Sequence, residues 1–153
     1  MKMFEKLSRE DLRYFLVNAR KDISYLLDIL EDEDALNLLT YLHYEPAKFQ
    51  KIRSFFNTVN KDRLSGYITN LWDFGILEFD DKKNIFQLSK LGNKLLELLV
   101  QLVFEALLSH ETSDPKMQKI LIQRISEKEL NQLKKEREEN RAKGIQIGTF
   151  RGP

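Results

Sequence analysis

The sequence predicts a mainly α fold carrying one small β-hairpin, and three observations in residues 61–99 predict it. Leu64, Ile68, Leu71 and Trp72, with Phe74 near the end, follow the 3.6-residue spacing of a helix with one apolar side. Gly75 ends that helix, because a residue without a Cβ accepts the left-handed conformation of a C-terminal cap. Two short apolar runs, Ile76–Phe79 and Ile85–Leu88, flank the polar turn Asp80-Asp81-Lys82-Lys83-Asn84, and Ser89 then caps a new helix.

Upstream, Ser8 with Asp11 opens a first helix in capping-box fashion. Leu12, Leu16, Ala19, Ile23, Leu26 and Leu30 follow at alternating spacings of four and three, the seam of a helix meeting a partner helix. We read it as a dimer seam, with a core helix of the same subunit as the alternative. Glu31, Asp32, Glu33 and Asp34 place negative charge where the next helix begins, favoured by its dipole. Ala35, Leu36, Leu38, Leu39 and Leu42 form that helix, and His43-Tyr44-Glu45-Pro46 ends it. Residues 47–56 read as a further helix with Phe49, Ile52 and Phe56 inward and Lys48, Lys51 and Arg53 largely outside. Asn57–Asn60 is a turn, with Asn60 the N-cap of the 61–74 helix.

Lys90 to about His110 is apolar nearly all round, with Lys94, Glu97, Gln101, Glu105 and Ser109 forming one narrow polar stripe. A helix with so little wet surface is expected to be covered, in part by a second subunit. Its charges also interrupt the only candidate membrane segment, Leu95–Leu108, so no span is expected. Asp114-Pro115 starts a short helix. Ser126 and Glu129 suggest another capping box, and Lys134–Lys143 has no apolar face: a solvated helix end, or a basic arm for phosphates. Residues 144–153 are expected to be a disordered tail, able to pair on a protein partner.

Two stretches resemble the winged helix-turn-helix regulators. LWDFGILEF (71–79) is similar to that fold's boundary between recognition helix and first wing strand, L-x-x-x-G-L/I-V/I. IFQLSKLGNKLLEL (85–98) is similar to its exit from the wing, Y-x-L-T-x-x-G-x-x-L-L. The resemblance covers roughly residues 34–100 and is closest to ArsR- and MarR-type or small archaeal winged-helix families. It implies a winged helix-turn-helix with extra N- and C-terminal helices. The expected organisation is an N-terminal helix (1–33) for dimerisation or core and a DNA-binding winged-helix domain (34–89). A dimerising apolar helix (90–111), charged helices (112–143) and the tail (144–153) follow.

The chain's 153 residues carry a net charge of +1 and no cysteine, which removes disulfides, thiolate metal sites and thiol nucleophiles. Near-neutrality conceals segregation. Between Ala47 and Trp72, five cations face Asp62 alone, a net of +4, whereas residues 1–33 net −2. Local field rather than net charge attracts phosphate. The expected contacts to double-stranded DNA are Lys48, Lys51, Arg53, Asn60, Lys61, Arg63, Ser65, Gly66, Tyr67, Thr69 and Asn70, with Lys82 and Lys83 at the hairpin tip. Arginine suits guanine, asparagine adenine, and the hydroxyl residues either bases or phosphate.

His43 and His110 belong to no metal or catalytic spacing, and neither a phosphate-cradling loop nor a nucleophile elbow is present. The expectation is therefore a cytoplasmic, homodimeric DNA-binding regulator, not an enzyme, with no cofactor. Its rivals are a protein-interaction winged helix and a plasmid or viral partition or replication factor.

Overall fold

The structure, a computed structural model, describes residues 6–109, 114–124 and 127–145. It is mainly helical with one two-stranded antiparallel hairpin, and it divides into two compact units, Met1–Asn93 and Lys94–Pro153.

In the first unit, α1 (Arg9–Asn18) and α2 (Arg20–Glu31) replace the single helix expected from Ser8 to Leu30. Ser8 caps α1 as expected, accepting from the Asp11 amide at 3.1 Å. The break at Ala19 has a local cause. Asn18 turns its side-chain amide onto the Tyr14 carbonyl at 2.7 Å, the back-bonding by which asparagine competes with a helix. Ala19 sits at φ −89°, ψ 4°, yet the bonds from Ala19 N to Phe15 O and from Ile23 N to Ala19 O persist, so the chain kinks without opening.

α3 (Glu33–Tyr44) begins where the acidic run predicted. Asp32 is its N-cap, accepting from Asp34 N at 2.9 Å and Ala35 N at 3.2 Å. The next segment departs from expectation: α4 spans only Phe49–Phe55, because Ala47 is taken by a β-bridge. Its N–H donates to Phe86 O at 3.0 Å and its carbonyl accepts from Phe86 N at 2.8 Å. Both backbone groups are engaged sideways, so Ala47 cannot join a helix.

α5 (Lys61–Asp73) is capped by Asn60, whose Oδ1 accepts from Asp62 N at 2.8 Å and Arg63 N at 3.4 Å. It closes at Gly75, at φ +84°, with Ile76 N reaching back to Leu71 O. That engaged amide moves the first strand one residue later than read: β1 is Leu77–Asp80, paired with β2 (Ile85–Leu88) in the register Leu77 to Leu88 and Asp80 to Ile85. At the tip, Asp80 Oδ1 accepts from Lys82 N and Lys83 N, so this aspartate builds the turn.

α6 (Lys90–Ser109) starts in the first unit and runs into the second. Ser89 ties its start to the end of α5. Its Oγ accepts from Gly92 N at 3.0 Å and donates to the carbonyls of Gly75 and Ile76. Gly92 lies against the Ile76 carbonyl so closely that an added Cβ would sit 2.2 Å from that oxygen. The glycine of the SKLGN motif is thus required by a close backbone approach.

The core of this unit joins Leu38, Leu39 and Leu42 of α3, Ile52 of α4, Leu64, Ile68 and Leu71 of α5, and Ile76, Leu77 and Leu88 around the hairpin, each 6% exposed or less. Burying each such side chain contributes about 1.5–3 kcal/mol. Trp72, read with the inward stripe, is 53% exposed: it follows Leu71 by one position, which turns it away from the core.

In the second unit, Asp114 caps α7 (Pro115–Arg124), accepting from Lys116 N at 2.9 Å and Met117 N at 3.2 Å, with Pro115 in the first position as expected. α8 spans Glu127–Ala142. The Ser126 cap lies outside the described residues, as do His110 and the tail from 146 onward. α8 is not solvated all round. Leu133, Arg137 and Asn140 form a half-buried stripe, with Arg137 Nη2 donating to Leu107 O at 3.4 Å. No helix among the described residues is long and apolar enough to cross a membrane.

Candidate nucleic-acid interface

α5 presents three sides. Leu64, Ile68 and Leu71 are buried. At 3.6 residues per turn, the positions opposite them are Asp62, Gly66, Thr69 and Asp73, all exposed. Gly66 has open space around it, so nothing among the described residues requires a glycine there. Arg63, Tyr67, Asn70 and Phe74 run down one flank, which the α2–α3 junction approaches. Tyr25 stacks on Phe74 with ring centroids 5.1 Å apart, and its hydroxyl donates to the Asn70 carbonyl at 2.9 Å.

This flank corrects the expectation for Tyr67. Its ring is half-buried, and its hydroxyl donates to Asp32 Oδ2 at 2.6 Å while accepting from Arg63 Nε at 2.8 Å. The Arg63 guanidinium also lies 5.5 Å from the Tyr67 ring centre, in cation–π range. Arg63 Nη2 is 3.6 Å from Asp32 Oδ2 and 3.8 Å from Asp34 Oδ2. Asp32 therefore caps α3 with one carboxylate oxygen and anchors Tyr67 with the other. Arg63 remains mostly exposed, its side chain 60% accessible.

The electrostatics follow. The Tyr67 hydroxyl, with help from the α3 amides and Arg63, holds the Asp32 carboxyl below the usual aspartate range against the opposing effect of burial. Donation to Asp32 and then burial raise the Tyr67 phenol, while burial and then Asp73 raise that of Tyr25. A raised phenol favours the neutral form, so both tyrosines stabilise the fold below pH about 10 and lose that contribution as pH rises through their folded values. Asp32 contributes above about pH 4 and loses its contribution as pH falls below it. In a spectrophotometric alkaline titration, the phenolate absorbance lost on Tyr25→Phe and Tyr67→Phe should appear at higher pH in the folded protein than in denaturant. The same pH in both states would contradict it.

The remaining expected contacts are spread around this helix. Lys48, Lys51 and Arg53 on or beside α4 are exposed, with Lys51 paired to Glu45. Lys61 is exposed and Ser65 half-buried; Thr69 and Asn70 are exposed, as are Lys82 and Lys83 at the hairpin tip. Asn60 is exposed, but its carbonyl oxygen is engaged in capping. The positive field is therefore thinner than the sequence tally implied, because Glu45 offsets Lys51, Asp32 and Asp34 offset Arg63, and Asp73 joins Asp62 outside.

Sequence reasoning missed Asp32, Asp34 and Tyr25 as neighbours of this helix. They lie about thirty to forty-five residues away, and no periodic signal links them to α5.

His43 Nδ1 lies 3.1 Å from Asn93 Oδ1, and its ring meets Tyr44 edge-on. The described residues hold no cluster of His, Asp or Glu able to bind a metal ion. Comparison with known proteins finds no match among family models, curated proteins or solved structures.

Proposed function

We propose that the first unit is a winged helix-turn-helix head that binds double-stranded DNA as a homodimeric transcriptional regulator. The single observation that carries the reading is the Ala47–Phe86 bridge. It joins the link between α3 and α4 to the hairpin, so the order becomes helix, one-residue strand, helix, helix and two strands, the arrangement of the winged-helix fold. In that fold α5 is the recognition helix, with the first turn at the base edges, and the hairpin is the wing. Exposed Lys48 and Arg53, at the start of and on α4, and Lys61, the first residue of α5, would supply phosphate contacts, and Lys82 and Lys83 would extend them.

Dimerisation through the Leu12–Leu30 and Lys90–His110 helices rests on unburied apolar side chains. Tyr14, Phe15, Leu16 and Leu27 are 73%, 64%, 46% and 60% exposed, and on α6 Leu102 is 65% exposed. Large apolar side chains left in solvent on these helices are what an interface would cover. Leu102→Asp should convert the dimer to a monomer in sedimentation equilibrium with helix content retained; an unaltered dimer would exclude α6 from the interface. Two heads related by a twofold axis imply half-sites about one helical turn apart.

Selection of bound duplexes from a random pool tests the function, with enrichment of a near-palindromic site as the expected result. A second reading, a protein-interaction module, is favoured by Asp62 and Asp73 on the outward face of α5 and by the exposed Trp72. Failure to enrich any sequence, together with salt-insensitive binding to a protein, would favour it.

A further inference from the structure

Arg63 is the third residue of α5, in the turn that the reading above brings to the base edges. Its surroundings are unusual for a phosphate contact. Two carboxylates lie within 4 Å of the guanidinium and cancel the field that would draw a phosphate. They leave its directional donors intact: Nη2 stands 3.6 and 3.8 Å from the two aspartates, ion-pair range but beyond hydrogen-bond length. Nε alone is committed, to the Tyr67 hydroxyl. That hydroxyl is fixed by Asp32, and Asp32 is fixed by the α3 amides. The Nη edge is thus held in place by a chain of three hydrogen-bonded links, and its partner must be a neutral acceptor pair.

A guanine presents such a pair in the major groove, O6 and N7, whereas adenine replaces one acceptor with a donor. We propose that Arg63 reads a guanine in each half-site through its Nη edge, and that Tyr67 and Asp32 are positioning residues that aim it. The proposal rests on the DNA-binding reading and names the base that the helix selects.

The test measures equilibrium binding of the full-length protein to its selected duplex, to duplexes with each guanine replaced in turn by adenine, and to unrelated DNA. Wild type should lose about tenfold to a hundredfold in affinity at one guanine per half-site, the range of a bidentate contact. Arg63→Lys should remove that discrimination. Tyr67→Phe keeps the ring and Asp32→Asn keeps a capping oxygen, so both should fold, as circular dichroism will check. Each should shrink the guanine preference severalfold, while Asp32→Asn binds unrelated DNA at least as well as wild type. If Asp32→Asn instead raises affinity for all duplexes equally and leaves the preference unchanged, the carboxylate merely competes for Arg63 and the positioning claim falls. An unchanged preference in Arg63→Lys overturns the assignment of the reader. Wild-type protein that binds no duplex at any salt overturns the DNA-binding reading itself, and the assignment of Arg63 with it.

Discussion

Gly92→Ala is expected to destabilise the first unit by about 1–3 kcal/mol or more, the cost of overpacking a closely fitted site. The added Cβ would meet the Ile76 carbonyl oxygen at 2.2 Å, and both are backbone, so no side chain can swing aside. Relief requires α6 to lift off the end of β1, which strains the bonds from Ser89 N and Oγ to the same carbonyl. The melting temperature should fall by roughly 4–8 °C for each kcal/mol lost in a unit of this size. Gly66→Ala is the natural control. Its Cβ meets nothing within 4 Å, and alanine is favoured over glycine in a helix by about 1 kcal/mol, so the same melt should shift upward. Equal shifts in the two variants would contradict the packing described for α6.

Replacing Lys48, Arg53 and Lys61 together by alanine is expected to weaken duplex binding several-hundredfold per bound head at about 0.1 M salt. All three are exposed, and among the described residues none is ion-paired as Lys51 is with Glu45. Each phosphate contact contributes about 0.9 to the slope of log affinity against log salt, so the slope should flatten by roughly 2.7 per head, or about 5.4 for a dimer with both heads bound. Lys51→Ala, already neutralised by Glu45 in the free protein, should change the slope less than any of the three. A triple variant with the wild-type slope would remove α4 and the start of α5 from the phosphate contacts.

The elements legible in the sequence are those written by local chemistry. Asn60 as a cap, Gly75 as a stop, the polar tip between two apolar runs, and Ser89 before a new helix each act within a few residues of themselves, and the structure has all four. Illegible features arise from partners distant in sequence. Ala47 looks like a helix start until Phe86 takes both of its backbone groups. Tyr67 looks outward by spacing alone, yet a carboxylate 35 residues earlier draws its hydroxyl inward. The kink at Ala19 lies between these cases. Its cause is the local Asn18 side chain, but an unbroken heptad-like run of apolar residues masked it. For α8, polarity concealed burial, because the long stem of Arg137 can line an interior that its charge would seem to forbid.

At the candidate interface, the charge read from the sequence differs from what the structure places there. Asp73, one residue beyond the cationic stretch 47–72, shares the outward face of α5 with Asp62. Arg63 is not a free cation, because Asp32 and Asp34 stand beside it. What remains is a helix with few unopposed cations and a directional arginine. On the DNA-binding reading proposed above, such a surface would draw much of its affinity from base contacts and bind unrelated DNA poorly.

The most direct measurement is the affinity of the intact protein for its selected duplex and for a scrambled duplex of equal length, across a salt series. The account predicts specific binding that weakens by orders of magnitude with rising salt, and at least a thousandfold preference for the selected site. Equal, weak binding to both duplexes would contradict it, leaving a mainly helical protein with a hairpin whose exposed α5 serves some partner other than DNA.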